Sequence, residues 1–100
     1  MVKHIVLFAL EGFESGAAKA SHLLQLKNEL EQLTRQIDIL RGMSVHINEN
    51  PQEQYDLMLE AITSSLDDLA HYSAHPLHQD VVARLIRPYL KSRACVDFTI

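Results

Sequence analysis

Apolar and polar positions set the first element before any motif does. From Val2 to Leu10 nearly every residue is β-branched or large and apolar, a strand pattern. Successive strand side chains point to opposite faces, so His4, Val6, Phe8 and Leu10 share one side and Ile5, Leu7 and Ala9 the other. Both sides are largely apolar. A strand of a small antiparallel sheet normally keeps one wet face, so this one calls for a cover on each side.

Residues 11–16, with two glycines and a serine, read as a loop. From residue 17 to about 37 the period changes: Leu23, Leu26, Leu30, Leu33 and Ile37 step by three and four, with Lys27, Glu31 and Arg35 between them. That is the core stripe of one amphipathic helix, too short for the sustained heptads of a coiled coil. Arg41 and Gly42 end it. Met43, Val45 and Ile47 alternate with Ser44 and His46 as a second strand, and residues 48–54, with Asn50-Pro51 among them, form a turn. Residues 55–62 give a third strand, with Tyr55, Leu57, Leu59 and Ala61 on one face and Asp56, Met58, Glu60 and Ile62 on the other.

Ser64 and Ser65 ahead of Asp67 and Asp68 mark a helix start, a hydroxyl to cap and acids near the positive end. The helix is short, with Leu66, Leu69 and Ala70 directed inward, and stops at His75-Pro76. Proline disfavours helix at the residue before it yet suits a first turn. A second helix therefore runs from Pro76 to about Lys91, with Val81, Leu85 and Ile86 buried. Residues 94–100 alternate Ala94, Val96, Phe98 and Ile100 against Cys95, Asp97 and Thr99 as a fourth strand. The order β-α-β-β-α-β is the ferredoxin-like split βαβ arrangement of the α+β class, one domain spanning residues 1–100. Its helices cover one sheet face. The other face, with Ile5, Leu7, Ala9, Met58 and Ile62, has no lid in the chain, and a second copy in a homodimer through the sheet face is the simplest cover.

Composition narrows the function classes. A chain of 100 residues, 47% apolar and 22% charged, is an ordinary globular domain. A net charge of −4 and nine scattered Lys and Arg residues leave no basic stripe for nucleic acid or anionic lipid. No run approaches a membrane span. The single cysteine, Cys95, cannot staple the fold and reads as a small buried residue. Cytoplasmic conditions are the expectation.

Six histidines are many for this length, and Tyr72-Ser73-Ala74-His75-Pro76-Leu77-His78 is the densest polar and aromatic cluster. Imidazole exchanges protons near neutral pH. A tyrosine hydroxyl donates to a carbonyl that gains charge. His78, just inside a helix start, is the best acid–base candidate. Tyr72 reads equally as an amphipathic core residue, and His75 more simply as the cap of the helix junction. His4 is either a core histidine satisfied by a carbonyl or part of a site. His71, His75 and His78 make a poor metal set, since the proline separates them and no acid or thiolate lies nearby; neither metal nor cofactor is expected.

Lys3-His4-Ile5-Val6-Leu7-Phe8, Asn48-Glu49-Asn50, Tyr55-Asp56-Leu57, Asp68-Leu69-x-x-Tyr72-x-x-His75-Pro76-x-His78 and Val96-Asp97-Phe98 together resemble the stress-responsive dimeric α/β-barrel family, Dabb, from Val2 to Ile100. The resemblance implies two sheets packed into a barrel with helices outside. The family includes a plant cyclase that closes a polyketide by an aldol reaction without a cofactor. Carried over residue by residue, its acid–base histidine falls on His78, its supporting tyrosine on Tyr72 and its strand-one histidine on His4. The implied pocket lies between sheet and helices, with His75, Val6, Phe8, Leu57, Leu59 and Ala61 around a small hydrophobic ligand. Ala9 departs from a basic residue common there and Asn48 from a glycine. The first helix offers leucines where a planar polyketide would want aromatics. The expected function is a stress-response barrel domain with a small-molecule pocket. The alternatives are a cofactor-independent lyase, cyclase or isomerase working through His78, and a dimeric-barrel monooxygenase.

Overall fold

Strand β1 (Val2–Leu10) lies between β3 (Leu57–Thr63) and β4 (Leu90–Thr99), and β2 (Gly42–Ile47) flanks β3, giving an antiparallel sheet ordered β2-β3-β1-β4. The computed structural model describes all residues, Met1–Ile100. Helix α1 (Gly16–Gln32) follows β1, and α2 (Leu66–Ala74) and α3 (Pro76–Val81) connect β3 to β4. This is the ferredoxin-like α+β order expected from the sequence.

The helix starts follow from local chemistry. The Ser15 hydroxyl accepts the Ala18 amide at 3.0 Å, and the Ser65 hydroxyl accepts that of Asp68 at 3.1 Å. Each satisfies one of the amides that a helix N-terminus leaves unpaired. The leucine stripe of α1 does what its spacing asks: Leu23, Leu26 and Leu30, then Leu33 and Ile37 beyond the helix, are buried in one core with Val6, Phe8, Leu57, Leu59 and Ala61. The last predicted turn tightens into a 3₁₀ turn at Leu33–Arg35.

The polar residues between those leucines also have work. Lys27 donates to the Val45 carbonyl at 2.6 Å, and the Glu31 carboxylate accepts the Val45 amide at 3.0 Å and a Lys27 ammonium bond at 3.0 Å. Val45 sits on the edge strand β2, so two helix side chains occupy backbone groups that would otherwise offer a template to another strand.

Three features depart from the sequence reading. The chain from Pro76 does not run as one helix: α3 passes into a wide π turn at Val82–Ile86 and a 3₁₀ turn at Arg87–Tyr89. The His22 ring nitrogen Nε2 lies 2.7 Å from the Leu85 carbonyl and donates to it inside that turn. Strand β4 begins at Leu90, four residues before the expected start, because Leu90, Ser92 and Arg93 pair with the end of β1, the register shifting at Lys91, while Lys91, Ser92 and Arg93 stay polar on an open edge. In α2 the buried stripe is Leu69 and Tyr72; Leu66, directly after the cap, is 61% exposed, and Ala70 also faces water.

Opposite the helices, cross-strand register joins Ile5 to Val96, Leu7 to Met58 and Lys3 to both Ile62 and Phe98. Val96 and Phe98 are 55% and 44% exposed in the protomer. No helix is long and apolar enough to cross a membrane.

Candidate functional site

On the helix-facing side the register sets a polar row beside an apolar one. His4 lies opposite Asp97, Val6 opposite Cys95 and Phe8 opposite Arg93. Above this row stand Tyr72 near the end of α2 and His78 in the first turn of α3, joined by the His75-Pro76 junction. A cavity of about 270 Å³ lies between them. Its apolar wall includes Val6, Phe8, Leu30, Leu59, Val82 and Ile86; His4, Tyr72, Ser73, His78, Gln79, Arg87 and Arg93 supply its polar groups.

His78 is held in one protonation pattern. Its Nδ1 sits 2.9 Å from the Ser73 carbonyl oxygen, which can only accept, so Nδ1 carries the proton and Nε2 keeps a lone pair. Partial burial pushes the His78 pKa below its usual value; the Ser73 bond opposes this, and the charges of His4, Arg93 and His75 add to it. The ring is therefore a neutral base near pH 7. Tyr72 packs against it, ring centroids 4.5 Å apart. The Tyr72 hydroxyl is buried and has no hydrogen-bond partner in the protein. Burial holds its pKa far above the ordinary phenol range, so it stays a donor. A buried hydroxyl left unpaired costs on the order of 1–3 kcal/mol, an arrangement that a ligand carbonyl would relieve.

His4 is oriented from the other side. Its Nδ1 meets an Asp97 carboxylate oxygen at 2.5 Å, which makes the ring a directed group, unlike a core histidine bonded to backbone. The Cys95 sulfur lies 3.5 Å from the same nitrogen. Cys95 is exposed, contrary to expectation, because β4 is an edge strand beyond the helix cover. Partial desolvation of the sulfur and the neighbouring Asp97 charge raise its pKa, so it remains a thiol.

These three residues bring a possible ligand trio within 4.8 Å, a set the sequence reading did not contain. Two ligands of one tetrahedral zinc, each about 2.0–2.1 Å from the metal, stand roughly 3.3 Å apart. The His4–Asp97 separation of 2.5 Å is a hydrogen bond, so the trio would have to open to take an ion.

Of the residues singled out from sequence, His4, Tyr72, His78, Val6, Phe8 and Leu59 line the cavity. His75, Leu57 and Ala61 do not. The His75 ring instead caps α3, its Nδ1 accepting the Leu77 amide at 3.1 Å. Leu57 and Ala61 face the helices as expected, but packed side chains enclose them completely. Arg93, Arg87, Gln79 and Ser73 were missed. Extending β4 back to Leu90 would have put Arg93 in phase with Asp97 and opposite Phe8, on the cavity side of the sheet.

Several solved structures share this architecture. A dimeric protein of unknown function with a ferredoxin-like fold from Bacteroides fragilis is 33% identical, with a TM-score of 0.90 over 99% of this chain and 95% of its own. A dimeric ferredoxin-like protein of unknown function from Thermobifida fusca is 24% identical, with a TM-score of 0.81 over 99% and 90%. Hydroxynitrile lyase from Passiflora edulis is 14% identical, with a TM-score of 0.78 over 99% and 92%. The last two likenesses speak to fold alone. No curated protein matches the sequence. The sequence profile of the stress responsive A/B barrel domain matches residues 2–100, and the chain belongs to that family, Dabb.

Proposed function

We propose that this Dabb domain binds a small carbonyl compound in the cavity between sheet and helices and moves a proton on it without a cofactor. The observation that carries this reading is the pairing of a neutral His78, whose free Nε2 can accept a proton, with a buried Tyr72 hydroxyl that has no partner in the protein. His78 takes a proton from carbon beside the carbonyl. The bonding pair moves into a new C=C bond, and charge gathers on oxygen, where Tyr72 donates. His4, fixed by Asp97, offers its other ring nitrogen to the same ligand. This proton transfer is common to lyase, aldol-type and isomerase chemistry. The test is deuterium exchange: small ketones and oxo acids incubated with the protein in D2O should lose carbon-bound protons by NMR, and His78→Ala should return exchange to the buffer rate. Exchange that His78→Ala leaves untouched would end the catalytic reading.

The protein acts as a homodimer joined through the sheet face. Exposed Val96 and Phe98 extend the stripe of Ile5, Leu7 and Met58, and the similar Bacteroides fragilis and Thermobifida fusca proteins are dimeric. Light scattering should give about twice the 11.4 kDa chain mass, and Leu7→Asp should yield monomer or aggregate. A wild-type monomer at micromolar concentration would refute it.

A further inference from the structure

The charges around the cavity do not balance, and the imbalance bears on what enters. Arg87 and Arg93 both line it and both are exposed, which puts them at its mouth. Neither takes part in any ion pair of the protein. Arg84, three residues before Arg87, gives the contrast: its guanidinium is held by Glu29 and Asp80 and points away from the cavity lining. No carboxylate belongs to the lining. Asp97, which shares its face of β4 with Arg93, is engaged with His4. The mouth thus holds two uncompensated guanidiniums, groups whose planar fork matches a carboxylate by paired hydrogen bonds. Deeper in are the Tyr72 hydroxyl and His78 Nε2, with Phe8, Leu30 and Leu59 around them.

We propose that the ligand is a small oxo acid, its carboxylate held by Arg87 and Arg93 at the mouth and its carbonyl presented inward to Tyr72. This deepens the proton-transfer reading and rests on it for the inner end only. A volume of about 270 Å³, just under the usual ligand-site range of roughly 300–1,000 Å³, limits the ligand to a short chain or single ring. The step is balanced. The C–H bond beside the carbonyl breaks, its proton goes to His78 Nε2, and its electron pair forms the enol C=C. The carbonyl π pair moves onto oxygen against Tyr72, and reversal returns a proton or a deuteron to carbon. The carboxylate would also offset the Arg93 charge that now disfavours protonation of His78, so binding makes His78 a better base.

Levulinate and its methyl ester separate the anion site from the base, since they share the ketone and differ in the charge. Exchange of their carbon-bound protons is followed by NMR in D2O at neutral pD, with wild type and with the double variant Arg87→Gln/Arg93→Gln. The expected result is protein-dependent exchange at least tenfold faster for levulinate than for the ester, with the preference falling to near unity in the double variant. Equal or faster exchange of the ester by wild type overturns the oxo-acid assignment while the base reading stands. A preference that survives in the double variant overturns it too. If neither compound exchanges, the base reading fails, and titration of levulinate into 15N-labelled protein decides the anion site. Saturable shifts absent with the ester and lost in the double variant support it; no shifts overturn it.

Discussion

Helix α1 and the helical segment from Leu66 to Tyr89 cover the same sheet face and are built in opposite ways. α1 is one regular helix with a continuous leucine stripe, and its polar residues reach sideways to hold β2. The second segment is broken four ways, by the His75-Pro76 junction, a short α3, a π turn and a 3₁₀ turn. Yet nearly all the cavity's helix-side residues, Tyr72, Ser73, His78, Gln79, Val82, Ile86 and Arg87, come from the broken segment; α1 contributes only Leu30. Regular packing fills space to near crystal density. Breaks in a helix, π turns among them, leave backbone carbonyls free and side chains out of phase, and that is where cavities and functional groups gather. The Ser73 carbonyl that sets the His78 tautomer is such a freed group, at the end of α2 beside the proline.

The contrast implies that the broken segment carries activity and α1 carries stability. The largest effect should come from His78→Ala, with proton exchange falling by about 10²–10⁴-fold, the usual worth of a general base, and the melting temperature little changed. Leu26→Ala, at a fully buried position of α1, should cost about 2–5 kcal/mol of unfolding free energy by denaturant titration and spare the exchange rate per folded molecule. Tyr72→Phe should raise the barrier by roughly 1–4 kcal/mol, the scale of one oxyanion donor. It should leave stability equal or slightly higher, because the hydroxyl it removes is unpaired. A strongly destabilised Tyr72→Phe would mean that the hydroxyl serves the core and would erase the division. The smallest change is Glu31→Gln, worth about 1 kcal/mol of stability, since the half-exposed carboxylate is partly screened by water.

How far the sequence could be read follows the same division. The α1 stripe and the strand alternations were legible because burial on one face imposes a period, and every leucine of that stripe is buried. Capping was legible too: Ser65 and His75 sit where a helix needs an acceptor. The π turn was not, since Val82 to Ile86 is mostly apolar and suits a continuous helix equally well. Alternation gave the face of Leu57 and Ala61 but not their position along it, so it could not tell the cavity wall from closed core. Arg93 was lost because an edge strand open to water keeps polar residues such as Lys91 and Ser92, which look like loop. Cys95 was misjudged for the same reason: its phase was right, but no helix covers that flank.

The proposed chemistry turns on the state of one ring, that of His78. Long-range 1H–15N NMR of histidine-labelled protein, followed through a pH titration, reads the tautomer and midpoint of His78 directly. The prediction is the Nδ1–H tautomer with a midpoint below the ordinary 6.5. Below about 6.5 the unfolded chain takes up a proton that the folded site resists, so acidification weakens the fold, and above that value the contribution is constant. An Nε2–H tautomer would leave His78 no free lone pair for a ligand, and a midpoint at or above 6.5 would mean that burial does not hold the ring neutral; either result contradicts the account.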